Sequence, residues 1–131
     1  MAGMLETGST FELRTTVDET RTAAALADSG EVLPAVFGTP FMIADMERAC
    51  AALLAPLLKG GKVSVGARIE VSHTAPTPIR SAVTATAQFT ACEGPLYWFD
   101  VWAEDAGGRI GKGRITRAIV DQGTLLSKAA A

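Results

Sequence analysis

The sequence predicts an α+β fold in which one long helix packs against an antiparallel β-sheet. The first observation is a largely apolar segment, 41–58, that follows Thr39-Pro40 and has no helix breaker before Pro56. The second is a series of four segments with strand character after that helix, separated by turn-like stretches with glycine or proline, at residues 63–73, 81–91, 96–104 and 109–120. With a first strand at 10–17, the chain order is strand, helix and four strands.

Local patterns predict the elements before the sheet. Residues 10–17 alternate with a period of two, which is typical of a strand. Residues 18–38 are polar, alanine-rich and weakly periodic, which indicates a loop or a short helix. Thr39 can cap the free amides of the long helix, and Pro40 suits its first position. Most of the circumference of this helix is apolar, so we expect a curved sheet to cover it.

In the segment 63–73, successive side chains point to opposite faces of the strand. One face carries Val63, Val65, Ala67, Ile69, Val71 and His73. Because this row is mostly apolar, we expect it to face the core, with His73 as its last member before the loop at 74–78. Glycines in the segment 105–109 predict a hairpin turn between the last two strands.

The composition is that of a small globular protein. Of 131 residues, 48% are hydrophobic and 20% charged, so we expect one domain over residues 1–131, with a disordered tail at 124–131. Twelve basic and fourteen acidic residues give a net charge of −2, which argues against nucleic acid or a membrane as a partner. The N-terminus has no basic region followed by an apolar run, so we expect a cytoplasmic location.

Cysteine and histidine are too scarce for a usual structural zinc site. The chain has one histidine and two cysteines, so we expect no metal and no other cofactor. Cys50 and Cys92 lack a basic cluster that would activate a thiol, and we expect both to be structural.

Three polar residues are the candidates for chemistry. Glu47 lies at the border of the apolar helix, where a buried carboxylate would need a partner, but a solvated glutamate fits the pattern equally well. His73 is the best general acid or base in the chain, although a lone histidine on an apolar face is more often structural. Thr39 is first a helix cap, yet the amides and the positive dipole end beside it could polarise a thioester carbonyl.

Glycine and basic residues on the strands are weaker candidates. Gly66 interrupts a strand, which fits either a bulge or the close approach of a ligand or another chain. Four cations could meet phosphates, although solvation of the sheet faces explains most of them: Arg68, Lys112, Arg114 and Arg117.

Two segments together resemble the fluoroacetyl-CoA thioesterase family of hot-dog-fold proteins. They are Val36-Phe-Gly-Thr-Pro-Phe-Met-Ile-Ala-Asp-Met-Glu-Arg-Ala-Cys50 and Ser72-His-Thr-Ala-Pro-Thr-Pro78. The similarity runs from the first strand to Val120, and either segment alone would be a weak signal. The resemblance implies a hot-dog fold, a homodimer with active sites at the subunit interface, and hydrolysis of a small acyl-CoA thioester.

The resemblance also implies roles for individual residues. It implies a catalytic set of Thr39, Glu47 and His73, and substrate contacts from Gly66, Arg117, Leu33 and Phe37. Family members that select the fluorinated substrate carry phenylalanines before the helix, whereas this chain has Asp28-Ser-Gly-Glu-Val-Leu-Pro34 there, with comparable bulk only at Leu33. The acyl group is therefore open between fluoroacetyl and another short or branched group.

Two other functions stay open at this stage. A hot-dog hydratase or dehydratase could use the same histidine and carboxylate, although the sequence has neither a Tyr-x2-Asp-x-Asn-Pro-x2-His stretch nor a His-Phe-Pro-Gly loop. A non-catalytic protein that binds and sequesters acyl-CoA is the other alternative. For a thioesterase, the sequence also leaves open whether Glu47 activates water or attacks the carbonyl itself.

Overall fold

The computed structural model describes residues 4–131, which form a five-stranded sheet and two α-helices. The strands are β1 Thr10–Thr16, β2 Lys62–His73, β3 Ala82–Glu93, β4 Leu96–Asp105 and β5 Gly108–Asp121, and the helices are α1 Thr39–Leu54 and α2 Gln122–Ala130. Short 3-10 turns occur at Glu19–Arg21, Ala24–Leu26 and Ala55–Leu57. The predicted order of one strand, one long helix and four strands is confirmed.

The sheet is antiparallel throughout, in the order β1-β3-β4-β5-β2. Register shifts interrupt three of its four ladders, one of them between Gly66 and Arg68. Such bulges bend strands and increase their twist, which lets a sheet curve around a helix. The predicted α+β fold class is confirmed.

The bulge in β2 also makes the predicted single inward row of 63–73 wrong. Beyond the bulge Ile69, Val71 and His73 share the inner face, but before it Ser64 and Gly66 do, so Val63 and Val65 lie on the other face.

The core lies between α1 and the concave face of the sheet. Its fully buried members come mainly from α1, β3 and β4, with two from β5: Met42, Met46, Ala49, Cys50, Leu54, Val83, Ala85, Ala87, Phe99, Val101, Ala103, Ile110 and Ile115. The small alanines on β3 and β4 face the bulkier side chains of α1, so the helix axis can approach the sheet closely.

Helix α1 begins differently from the prediction. Gly38, not Thr39, is the N-cap, and no side chain caps the helix. A Cβ atom at Gly38 would lie 3.0 Å from the Phe41 ring and 3.1 Å from the Ala23 backbone, so any larger residue would require these neighbours to shift. The capping role predicted for Thr39 is therefore wrong, and its hydroxyl is available for another contact.

The end of α1 and the chain terminus also differ from the prediction. The helix stops at Leu54 and continues as a 3-10 turn, because Pro56 has no amide N–H to donate to the preceding turn. The tail is not disordered, since residues 122–130 form α2. Asp121 caps α2 by accepting a 2.9 Å hydrogen bond from the Thr124 amide.

Residues 18–38 connect β1 to α1 and fold back on themselves, as the predicted loop or short helix allows. The Ala23 amide donates to the Val36 carbonyl at 2.9 Å, and the Gly38 amide donates to the Arg21 carbonyl at 3.0 Å. We name residues 18–38 the roof segment. Over residues 4–131, no helix combines the length and the apolar composition needed to cross a membrane.

The contact of β5 with β2 at Gly113 gives a stability prediction. A Cβ atom at Gly113 would lie 2.0 Å from the Glu70 carbonyl oxygen and 2.7 Å from the Val71 Cα, and backbone cannot move aside as a side chain can. We expect Gly113→Ala to lower the free energy of unfolding by about 3 kcal/mol or more, measured by urea denaturation. Lys112→Ala introduces the same residue at the preceding exposed position and is the control; equal midpoints for the two variants would contradict the prediction.

Candidate functional site

The start of α1 meets the end of β2, and this meeting brings Thr39 to His73. Thr39 Oγ1 and His73 Nδ1 are hydrogen-bonded at 2.8 Å, and the tautomer of the imidazole decides which of them donates. Thr39 lies in the first turn of α1 and does not cap the helix, so its hydroxyl is free to form this bond. His73 is within reach because it is the last residue of β2. Two of the three residues predicted to be catalytic are thus in contact.

The His73 ring is held in a largely apolar setting. The ring of Phe37 packs against it edge to face, with centroids 6.4 Å apart and planes at 77°. His73 Nε2 is buried and has no hydrogen-bond partner among residues 4–131. Burial lowers the pKa of His73 from its ordinary value, and the backbone of Ala75 offsets part of that effect. The ring is therefore neutral at pH 7 and able to accept a proton.

A cavity of about 290 Å³ lies beside this pair. Thr39, His73 and Phe37 line it, together with Ala23, Pro34 and Val36 of the roof segment and the loop 74–76. Its volume is at the lower limit of the roughly 300–1,000 Å³ that is usual for small-molecule sites. Among the predicted substrate contacts, Phe37 lines this cavity, whereas Leu33 is 41% exposed and does not.

Glu47 belongs to a second cluster further along α1. Its carboxylate accepts a 2.9 Å hydrogen bond from Arg117 Nη1, and Arg117 also donates to the Ser64 hydroxyl at 3.2 Å and carbonyl at 2.8 Å. Gly66 faces the same carboxylate, since a Cβ there would lie 3.3 Å from Glu47 Oε2. The predicted contacts Gly66 and Arg117 therefore both adjoin Glu47, and the polar contact expected from Arg117 is an ion pair.

One subunit does not unite the three predicted catalytic residues. Thr39 and Glu47 are eight residues apart on α1, which corresponds to about 12 Å along the helix axis. Gly66 and His73 are seven residues apart on β2, which corresponds to about 23 Å along the strand. The Thr39–His73 pair and the Glu47–Arg117 pair are therefore two separate clusters.

The two cysteines and a groove on the outer face of the sheet take no part in either cluster. Burial raises the pKa of the Cys50 thiol to about 12, more than the nearby Arg117 lowers it, so the thiol is protonated and a poor nucleophile. Cys92 is exposed. A groove of about 830 Å³ crosses the outer face of β2, β4 and β5, and two of the cations considered as phosphate contacts, Lys112 and Arg114, line it. In the part of the chain described, no three His, Cys, Asp or Glu residues gather as metal ligands would.

One buried ion pair has no counterpart among the residues predicted from the sequence. Asp45 on α1 is only 1% exposed and pairs with Arg21 of the roof segment at 2.5 Å. Thr15 on β1 donates a second hydrogen bond to this carboxylate at 2.8 Å. The sequence signal for this pair was Asp45 itself, because a carboxylate in a mostly apolar helix needs a cation. The spacing between Arg21 and Asp45 did not identify Arg21 as that cation.

Comparison with known proteins gives the family. The family model described as fluoroacetyl-CoA-specific thioesterase matches residues 17–123. The chain belongs to this family. A fluoroacetyl-CoA thioesterase of Streptantibioticus cattleyicolor is 42% identical over 87 residues, which cover 66% of this chain and 63% of that relative. The chain thus aligns with less than two thirds of that relative's length.

Solved structures of the family confirm the fold. The structure of a fluoroacetyl-CoA thioesterase superposes with a TM-score of 0.92 at 33% identity, covering 97% of this chain and 96% of that one. A hot-dog-like protein from Thermanaerovibrio acidaminovorans superposes with a TM-score of 0.84 at 24% identity, covering 95% of this chain and 90% of that one. The hot-dog fold is confirmed, and so is the resemblance to the fluoroacetyl-CoA thioesterase family.

The burial of His73 gives a pH prediction. Its folded-state pKa lies below the unfolded value of about 6.5, so the unfolded chain binds the proton more readily and protonation favours unfolding. The stability that the neutral ring contributes is complete above about pH 6.5 and is lost as the pH falls from there toward the folded-state pKa. We expect the single histidine resonance of the folded protein to titrate below pH 6.5 by NMR, and His73→Gln to flatten the fall of stability in this pH range. A midpoint at or above pH 6.5 would contradict the prediction.

Proposed function

We propose that this protein hydrolyses a small acyl-CoA thioester, with Thr39, Glu47 and His73 as the catalytic residues. The observation that carries the proposal is the Thr39–His73 hydrogen bond on the wall of a small cavity at the start of α1. A hydroxyl, a neutral imidazole and a helix N-terminus at one cavity suit chemistry at a carbonyl group. The names of the relatives make fluoroacetyl-CoA one candidate substrate, and the exposed Leu33 leaves other short acyl groups equally open.

The start of α1 suits the developing negative charge of thioester hydrolysis. Backbone amides in the first turn and the positive end of the helix dipole stabilise an oxyanion. Pro40 contributes no amide there, so the N–H of Thr39 is the nearest donor beside the hydroxyl. The hydrogen bond to His73 fixes the Thr39 side chain. The Thr39 hydroxyl and the His73 ring could therefore contact the same substrate oxygen or leaving group.

Glu47 would supply the nucleophile or activate it. As a general base it would take a proton from water while the water oxygen attacks the carbonyl and the carbon–sulfur bond breaks. As a nucleophile it would form an anhydride, which water then hydrolyses. In both routes the proton that the attacking water gives up ends on the leaving thiolate of coenzyme A, and the neutral His73 is suited to accept this proton and pass it on. Arg117 holds the carboxylate in place, and the missing side chain at Gly66 leaves room beside it.

We propose a homodimer built on β2. This strand is at the edge of the sheet, and its other edge pairs with β5. It is twelve residues long and exposes Ile69 to 42%. A long, exposed edge with unpaired backbone groups favours pairing with another strand, and a second copy would pair antiparallel about a two-fold axis.

Such a dimer would unite the two clusters. If the axis passes through Glu70, and the bulge between Gly66 and Arg68 takes up one residue, His73 of one strand lies opposite Gly66 of the other, on the same face of the sheet. The Glu47 carboxylate adjoins Gly66 in its own subunit. Each active site would then combine Thr39 and His73 of one subunit with Glu47 of the other.

Thiol release from a substrate panel tests the activity. We expect acetyl-, fluoroacetyl-, propionyl-, a branched-chain or phenylacetyl-CoA to be hydrolysed, and Glu47→Gln and His73→Ala each to lower kcat/KM by about 100-fold or more, the usual range for acid–base groups. Glu12→Gln is the matched control, because this glutamate is exposed on β1, at the opposite edge of the sheet from β2. Full turnover by the folded Glu47 and His73 variants would exclude these two residues.

A protein without activity on the panel would point to the alternatives. Coenzyme A binding without thiol release would indicate an acyl-CoA-binding protein. Loss of enoyl-CoA absorbance without thiol release would indicate a hydratase.

Mixing two inactive variants tests the composite site. We expect dimers reassembled from equal amounts of Glu47→Gln and His73→Ala subunits to regain about a quarter of wild-type activity, because about half of the dimers are mixed and each mixed dimer has one intact site. Activity is measured as thiol release after denaturation and joint refolding, with each variant refolded alone as the control. If the mixture stays as inactive as its components, Glu47 and His73 act from the same subunit.

A further inference from the structure

We propose that Arg21 is a positioning residue for this active site, because its ion pair with Asp45 holds the roof segment and Phe37 against His73. The inference deepens the proposed thioesterase function and rests on it. Arg21 and Asp45 contact neither the cavity nor the Thr39–His73 pair directly, so they would act through Phe37.

The Asp45 carboxylate is a fixed anchor on α1. It is 1% exposed, accepts hydrogen bonds from Arg21 Nη2 and Thr15 Oγ1, and lies in the middle of the apolar helix. A carboxylate this deeply buried strongly favours a paired cation, because an unpaired one loses its hydration without compensation. Arg48 comes within 3.7 Å of Asp45 but is 61% exposed, so Arg21 is the principal partner.

The Arg21 guanidinium also connects α1 with the roof segment through two aromatic rings. Its central carbon lies 5.5 Å from the centroid of the Phe37 ring and 5.8 Å from that of the Phe41 ring. A planar cation over an aromatic face is attracted to it. Phe41 belongs to α1 and Phe37 to the roof segment, so one guanidinium holds the two rings in a fixed relation.

Phe37 transmits this position to the active site. Its ring is 1% exposed and packs edge to face on His73. The roof segment contributes Ala23, Pro34 and Val36 to the cavity wall. A displacement of Arg21 would therefore change both the packing of the imidazole and the width of the space for the acyl group.

The first experiment is NMR at about pH 8, where the imidazole is neutral. His73 is the only histidine, so its ring resonance is unambiguous. We expect the resonance to shift in Arg21→Met relative to wild type, because the Phe37 ring moves. Arg48→Met is the matched control: it removes the other guanidinium near Asp45, which stacks on neither ring, and its histidine resonance should coincide with that of wild type.

The test remains possible if Arg21→Met does not fold. If Arg21→Met fails to fold, Arg21→Lys keeps the positive charge opposite Asp45 but loses the planar group, and Arg48→Lys becomes its control. A folded Arg21 variant whose histidine resonance is the same as that of wild type overturns the proposal. The NMR measurement requires no turnover, so it decides about Arg21 even if the protein does not hydrolyse thioesters.

The second experiment measures acyl selectivity. We expect the ratio of kcat/KM for acetyl-CoA to that for hexanoyl-CoA to fall about tenfold in the Arg21 variant, which corresponds to the discrimination that one or a few methylene groups provide in an apolar pocket. The Arg48 variant should keep the wild-type ratio. A purely structural role would reduce the amount of active enzyme and leave the ratio unchanged, so an unchanged ratio overturns the proposed effect on the cavity.

Discussion

The close approach of α1 to strands β2 and β5 determines the arrangement of this protein's polar clusters. Two glycines allow it. Gly111 receives the end of the Met42 side chain, and Gly66 lies against the Glu47 carboxylate. A larger residue at either position would displace the α1 side chain that it faces. Because α1 is held so close, its first turn touches the last residue of β2 and its third turn reaches Arg117 on β5.

Two carboxylates on α1 are each paired with an arginine from a different part of the chain. Asp45 pairs with Arg21 before the helix, and Glu47 pairs with Arg117 on β5. Asp45 and Glu47 are two residues apart, which places them about 200° apart around the helix axis. The two ion pairs therefore lie on nearly opposite sides of α1. The helix is therefore connected to the roof segment on one side and to the sheet on the other. Two polar contacts thus complement a largely apolar contact that by itself specifies no unique rotation of the helix.

The sequence was informative where a pattern reports on local structure. The alternation in 63–73 identified His73 as the last inward residue of a strand, and the apolar segment after Thr39 identified α1. Contacts between distant segments were harder to infer. A solvated Glu47 and an ion-paired Glu47 have the same sequence pattern, and Arg21 has no spacing relation to Asp45. The start of α1 was misassigned for a similar reason, because the space around Gly38 depends on residues 22 and 23.

The sheet order has a consequence for how the chain folds during synthesis. Strand β2 is at residues 62–73, but its pairing partner within the sheet, β5, is at 108–121. The ribosome must therefore synthesise most of the remaining chain before β2 can pair with β5. The Glu47–Arg117 ion pair can form no earlier, because Arg117 is on β5. Contacts so distant in sequence form late. The Asp45–Arg21 pair joins residues 24 positions apart and can form earlier, whereas the cluster around Glu47 forms only when the protein is almost complete.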